Sequence, residues 1–312
     1  MLAQLEALHP EDVRIILRHF PLLTIHDKAS LAAEAAEAAG AQGSFWQMHD
    51  HLFERHADWV DLTPEEFMIW LKDAAVELNL DLAKFSQDLE TRRYQETMRT
   101  AFEQTAAAGI PGTPFVYLNG DWYRLPLSLI NLEASTRLLL LANRQYQTYP
   151  GFNLDLQSRY LARLQLSNGE MLIELLPASA PLAVNNFVFL ATEGWFDGIP
   201  FHRVVRDVIV ESGDPSGTGL GDPGYHFENE IDPSLSFDEP GMVGLVSYGS
   251  STNGSQFFIN LQPLPDWNGT RTIFGKVVEG LELLEQLDER DPLEDLLSPA
   301  EMQILSVTIE VQ

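Results

Sequence analysis

The chain has 312 residues, 46 of them acidic against 19 basic, for a formal charge of −27. That length exceeds a typical single core, so two domains of roughly 150 residues are expected, and a field of that sign excludes nucleic acid and anionic membrane surfaces as partners. The absence of cysteine excludes disulfides, thiolate metal sites and cysteine nucleophiles.

The charge is uneven: 12 basic and 21 acidic residues up to residue 150 give −9, and 7 and 25 beyond it give −18. A field this acidic favours cationic or partly unfolded polypeptide partners. The chain as given has no run of 18 apolar residues and no basic segment ahead of an apolar one at Met1, so neither a membrane span nor a signal peptide is expected of it.

In chain order, VRIILRHF (13–20) is short, β-branched and bounded by Pro10 and Pro21, which predicts a strand. ASLAAEAAEAAG (29–40) is alanine-rich and closes on Gly40, which predicts a helix. Thr63, Pro64 and Glu66 open another helix with an N-cap, a proline at the first helical position and a capping-box glutamate. Two more helical segments run to about residue 108. FVYLNGDWYRL (115–125) reads as a hairpin around Asn119 and Gly120, followed by a last helix in SLINLEASTRLLLLANRQ. Residues 146–158 lose the helical period around Pro150 and Gly151 and read as a linker. Beyond them come a hairpin with an Asn168-Gly169 turn, one amphipathic helix ending at Gly194, and many short strands closing on MQILSVTIEV (302–311). That texture predicts a closed barrel or a sandwich.

Gln256 is an amide at the mouth of the apolar run FFI (257–259), and Arg203 sits inside the strand-like FHRVV. Alone, the first reads as a turn cap or a bond to a neighbouring loop, and the second as a side chain snorkelling to the surface. Together, FHRV, SGDPSGTG, PGYHFENE, TNGSQFF and TIFGKVVEG occur in one order over residues 201–280. On these motifs the chain resembles the cyclophilin-type peptidyl-prolyl cis/trans isomerases over about residues 160–312. The resemblance implies a mainly β, closed barrel with flanking helices, no cofactor or metal, and clients that are unfolded or proline-containing polypeptides. It assigns Arg203 as catalyst, Phe258 as wall of the proline pocket and Gln256 as holder of the peptide backbone. Several pocket positions depart from the family pattern: Val208, Ile209 and Glu211 replace the usual Phe, Met and Gln, and Val246 and Ser247 replace an Ala-Asn pair. Asp266, Trp267 and Arg271 form an altered rim. Glu211 is expected to face Arg203 as the family's Gln does, forming a charge-assisted pair with it.

The glycine-rich GTGLGDPG (217–224) is followed by no lysine and reads as a structural surface loop. His49, His51 and His56, with Asp50 and Glu54, do not share one helix face, so no metal site is expected there.

GIPGTPFVYLNG (109–120) together with residues 19–54 resembles the DsbA-like branch of the thioredoxin fold, with Thr113-Pro114 in the place of that family's cis-proline. The resemblance implies an N-terminal α/β domain with a DsbA-type helical insertion whose first strand and Cys-x-x-Cys are missing from this chain. Two readings stand: the natural chain starts upstream, outside the cytoplasm, with the thiols, or the domain is degenerate and binds peptides. The expected organisation is therefore a DsbA-like domain over 1–145, a linker over 146–158 and an isomerase domain over 159–312. The expected function is prolyl isomerisation that assists folding. The alternatives are a non-catalytic peptide-binding chaperone and, for a longer chain only, a thiol-disulfide oxidoreductase.

Overall fold

Nine helices and eleven strands succeed one another along the 312 residues that the computed structural model describes. Packing divides them into two units: residues 14–125, and residues 1–13 together with 126–312. The first helix, α1 (Leu2–Leu8), belongs to the second of these.

The 14–125 unit is built on α2 (Ala29–Gly40), the alanine-rich segment, whose Ala35, Ala36, Ala38 and Ala39 are buried. Small side chains let α3 (Phe45–Glu54) approach closely. After the short α4 (His56–Trp59) come α5 (Pro64–Glu77), α6 (Leu82–Glu90) and α7 (Gln95–Ala107). Phe67, Leu71, Phe85 and Leu89 fill the core around α2. The capping box forms as the sequence predicts, with Thr63 accepting from the Glu66 N–H and Glu66 accepting from the Thr63 N–H. Strand structure is confined to the hairpin β1 (Tyr117–Leu118) and β2 (Asp121–Trp122), turned by Asn119 and Gly120 at positive φ. The Thr113-Pro114 bond is cis. The strand expected over 13–20 does not form. Its burial still alternates, with Ile16 66% exposed, but the run joins no ladder. A strand exists only through a partner, and the unit's two other strands pair with each other.

In the larger unit, α8 (Leu129–Leu141) starts at a Ser128 cap. Then β3 (Tyr160–Leu166) and β4 (Gly169–Leu175) form a hairpin, with Ser167 and Asn168 as its loop, so Gly169 opens the second strand rather than ending the turn. Next is α9 (Pro181–Thr192), stopped two residues later by Gly194 at φ +69°. The remaining strands are β5 (Ile199–Pro200), β6 (Arg203–Val205), β7 (Ile209–Ser212), β8 (Met242–Leu245), β9 (Phe257–Asn260), β10 (Ile273–Glu279) and β11 (Gln303–Val311).

All nine form one antiparallel sheet in the order β5-β11-β3-β4-β10-β8-β9-β7-β6. Its two edge strands are joined in the chain by Phe201 and His202 alone, so the sheet must curl until its edges meet. The expected closed barrel is therefore corrected to a curled sheet: no ladder joins β5 to β6, because the chain turning from one edge to the other occupies the gap. Phe187, Phe196, Phe257 and Phe274 pack between α9 and the sheet, each contributing about 1.5–3 kcal/mol by its burial.

The domain boundary also differs from the expected one. Helix α8 packs with the 126–312 unit, and the segment read as a linker is bound to it. Tyr149 Oη donates to the Leu182 carbonyl at 2.7 Å, and the Asn153 N–H donates to Asn185 Oδ1 at 3.0 Å. The helical period ends there because the chain lies extended along α9, presenting Tyr146, Tyr149 and Leu154 to the core.

Candidate active site

Register across four strands places three predicted residues and Gly244 in one row. Arg203 on β6 is opposite Glu211 on β7, Glu211 is opposite Phe258 on β9, and Phe258 is opposite Gly244 on β8. Directly opposed residues share a face of the sheet. Gly244 is needed in that row, because a Cβ there would lie 2.5 Å from Phe258 Cζ.

Phe258 is 1% exposed and belongs to a cluster separate from the main core. Ile209, Phe237, Met242, Val246 and Ile273 share it, with Val208 and Trp267 packed at its border. Trp267 meets Phe258 edge-on at 5.0 Å, and the Arg271 guanidinium lies 4.5 Å over the Trp267 ring. Arg271 Nη1 also donates to the Ser247 carbonyl at 3.0 Å. The altered rim is thus a connected stack of arginine, tryptophan and phenylalanine, with Asp266 exposed beside it.

Arg203 is exposed and makes no hydrogen bond or ion pair within the protein. The expected charge-assisted pair with Glu211 is therefore corrected: the two face one another by register without a direct bond. Burial pushes the Glu211 carboxyl above the usual range, and the Arg203 and Arg271 charges pull it partly back. A carboxyl raised on folding adds stability below its unfolded value of about 4.5 and loses it as pH rises through the higher folded value. Glu211→Gln is accordingly expected to raise the melting temperature at pH 7 and to lose that advantage towards pH 4. Thermal unfolding at both pH values checks this, and an equal gain at both would refute it.

Gln256 opens β9 and is 9% exposed. Its Nε2 donates to the Gly221 carbonyl at 2.7 Å and the Gly219 carbonyl at 3.2 Å. Two carbonyls accept only, so Nε2 faces the loop, and Oε1 is buried without a hydrogen bond, in reach of the His202 ring's electrostatic influence. The loop-bonding role open to an isolated Gln is fulfilled here alongside placement at the site. Its backbone is held too, as the Val246 N–H donates to the Gln256 carbonyl at 3.0 Å.

His202 was not singled out from sequence. It is 1% exposed, both ring nitrogens lack partners, and burial pushes it down to about 4 against the pull of Asp214, so it is neutral near pH 7. Strand alternation beside the outward Arg203 was the signal for an inward histidine. Arg203, Val208, Ile209, Glu211, Val246, Ser247, Gln256, Phe258, Trp267 and Arg271 are therefore all gathered around β6, β7, β8 and β9. Thr113 and Pro114 lie in the other unit.

A curled nine-stranded antiparallel sheet with an arginine, an apolar cluster and an amide on neighbouring strands defines a cyclophilin-like domain. The comparisons agree. The model of the cyclophilin type peptidyl-prolyl cis-trans isomerase/CLD family matches residues 161–309, and a thioredoxin model matches residues 4–135. The chain is 44% identical over 127 residues to peptidyl-prolyl cis-trans isomerase ppi1 of Schizosaccharomyces pombe, covering 40% of this chain and 82% of that protein. It is 42% identical over 123 residues to peptidyl-prolyl cis-trans isomerase B of Bacillus subtilis, covering 39% and 86%. A crystal structure of a cyclophilin type isomerase from Cryptosporidium parvum aligns at 33% identity and TM-score 0.44, over 49% of this chain and 98% of that one. The chain belongs to the cyclophilin-type peptidyl-prolyl cis-trans isomerase family, and its N-terminal part is thioredoxin-like. The thioredoxin match takes in most of α1 and the first half of α8, which pack with the isomerase unit.

Proposed function

We propose that the 126–312 unit isomerises X-Pro bonds of unfolded or flexible polypeptides, with Arg203 as the catalytic residue. The observation that carries this reading is an exposed, unpartnered guanidinium in register with a buried phenylalanine one strand beyond its neighbour. Rotation about the prolyl bond is opposed by a resonance barrier of about 18–20 kcal/mol. A guanidinium donating to the prolyl nitrogen as it pyramidalises is bound more strongly in the twisted state than in the planar one, and so lowers that barrier. No bond is made or broken, and arginine stays charged throughout.

The proline ring would rest against Phe258, with Ile209, Val246, Val208 and Trp267 around it. Gln256, at the start of β9, would hold the peptide backbone once its amide turns from the loop, and Ser247 and Arg271 would border the adjoining rim. Glu211 lies opposite Arg203 without engaging its donors.

The test is acceleration by the full chain of a proline-limited refolding phase, which runs over tens to hundreds of seconds uncatalysed. Binding of the unfolded chain without acceleration would replace this reading with a non-catalytic chaperone. Lacking cysteine, the chain is also expected to leave insulin reduction by dithiothreitol at the blank rate. Acceleration in that turbidity assay would contradict it.

A further inference from the structure

The glycine-rich loop has a use that its sequence does not show: its Gly219 and Gly221 carbonyls hold the Gln256 amide. From within, Asp214 fixes this loop, its Oδ1 accepting from the Ser216 N–H at 2.8 Å and its Oδ2 from the Gly221 N–H at 3.0 Å. From without, α8 and its continuation lie against it. Arg137 Nη1 donates to the Ser216 carbonyl at 3.4 Å and Nη2 to the Leu296 carbonyl at 3.3 Å. Further along, the Tyr146 N–H donates to the Pro223 carbonyl at 2.8 Å, and Gln145 Nε2 donates to the Asp222 carbonyl at 3.1 Å.

Arg137 is itself held. Its Nε donates to Oε1 of Glu133 at 2.6 Å, and the other oxygen of this 1% exposed carboxylate lies 2.8 Å from His9 Nε2, just past α1. The glycines make the approach possible: a Cβ on Gly221 would lie 2.6 Å from Leu141 Cδ2, and one on Gly224 would run into the Tyr146 carbonyl.

We propose that α8 is a positioning element of the isomerase site, with Arg137 and Leu141 fixing the 216–221 backbone and that backbone fixing Gln256. The proposal rests on the reading that Gln256 holds the substrate backbone. A site group is held to a fraction of an ångström by the groups behind it, and a small displacement there weakens turnover steeply. The helix is therefore part of the catalytic unit, although the thioredoxin-like match runs into its first half and stops at residue 135, short of Arg137 and Leu141.

The experiment is a double-mutant cycle in the full chain, crossing Arg137→Ala and, separately, Leu141→Ala with Gln256→Ala, read as kcat/KM on a proline peptide. Arg137→Ala is expected to lower kcat/KM about tenfold, and by less than about twofold when Gln256 is already alanine. The side-chain amide signals of Gln256 in a 15N–1H spectrum should shift in both single variants. Equal losses in the two backgrounds, or unmoved amide signals, would overturn the proposal. Should Arg137→Ala fail to fold, Leu141→Ala carries the same cycle. If Gln256→Ala alone leaves kcat/KM unchanged, it is the role of Gln256 that fails, and the amide signals then decide whether α8 controls the loop.

Discussion

Arg203→Ala is expected to lower kcat/KM by about 10²–10³ while leaving the fold unchanged. The magnitude is that of removing one oriented donor from a developing transition state. Stability should hold because the Arg203 side chain is exposed and bonded to nothing in the protein, and such surface replacements stay within about 0.5 kcal/mol. Arg203→Lys should recover little, since an ammonium cannot present the planar fork of donors that a guanidinium does. Rates in a proline-limited refolding assay, with thermal unfolding alongside, check both. Were Arg203→Ala to retain full kcat/KM while still binding peptide, the catalytic assignment would be wrong.

Gly213→Ala should be the most destabilising single-methyl change in the site. Gly213 adopts φ +99°, where a side chain is strained, and its Cβ would fall well inside contact distance of the Ser255 carbonyl and 2.7 Å from Gln256 Cα. Those are backbone atoms and cannot rotate away. The Gly213 carbonyl is fixed as well, accepting from Ser255 Oγ at 2.7 Å and Trp195 Nε1 at 3.2 Å. Strain and overpacking together should cost about 3–5 kcal/mol. Gly269→Ala is the comparison: φ is +70° but no atom lies within 4 Å of its Cβ, so only the conformational cost of about 1–2 kcal/mol applies. Urea unfolding of both variants measures the difference, and similar losses would show that close approach at Gly213 is relieved.

The candidate site was legible because its residues lie on neighbouring strands. Alternation and short turns put Arg203, Glu211 and Phe258 on one face, and their motifs stood close together in sequence. Asn119-Gly120 and the Thr63 capping box were equally local signals, complete within a few residues. The run 13–20 shows the limit: its period describes which side chains turn inward but says nothing of a partner strand, and none is there. Helix α8 shows another limit. Its sequence is a good helix wherever it docks, and contacts such as Arg137 reaching Ser216, 79 residues away, are what assign it to the isomerase unit. Likewise the glycines of 217–224 signal close approach without naming what approaches.

The pairing of His9 with Glu133 spans 124 residues, and β3 finds its neighbour β11 only near the end of the chain. On the ribosome, α1 emerges ahead of α8 and has no docking partner until α8 has followed it. By then residues 14–125, whose helices pack among themselves, are complete and free to condense on their own. The isomerase sheet cannot be completed before β11 is available, because β3 and β5 both pair with it. The inserted unit is thus expected to condense early, and the residues on either side of it to be joined afterwards by long-range contacts, the slow class of folding event.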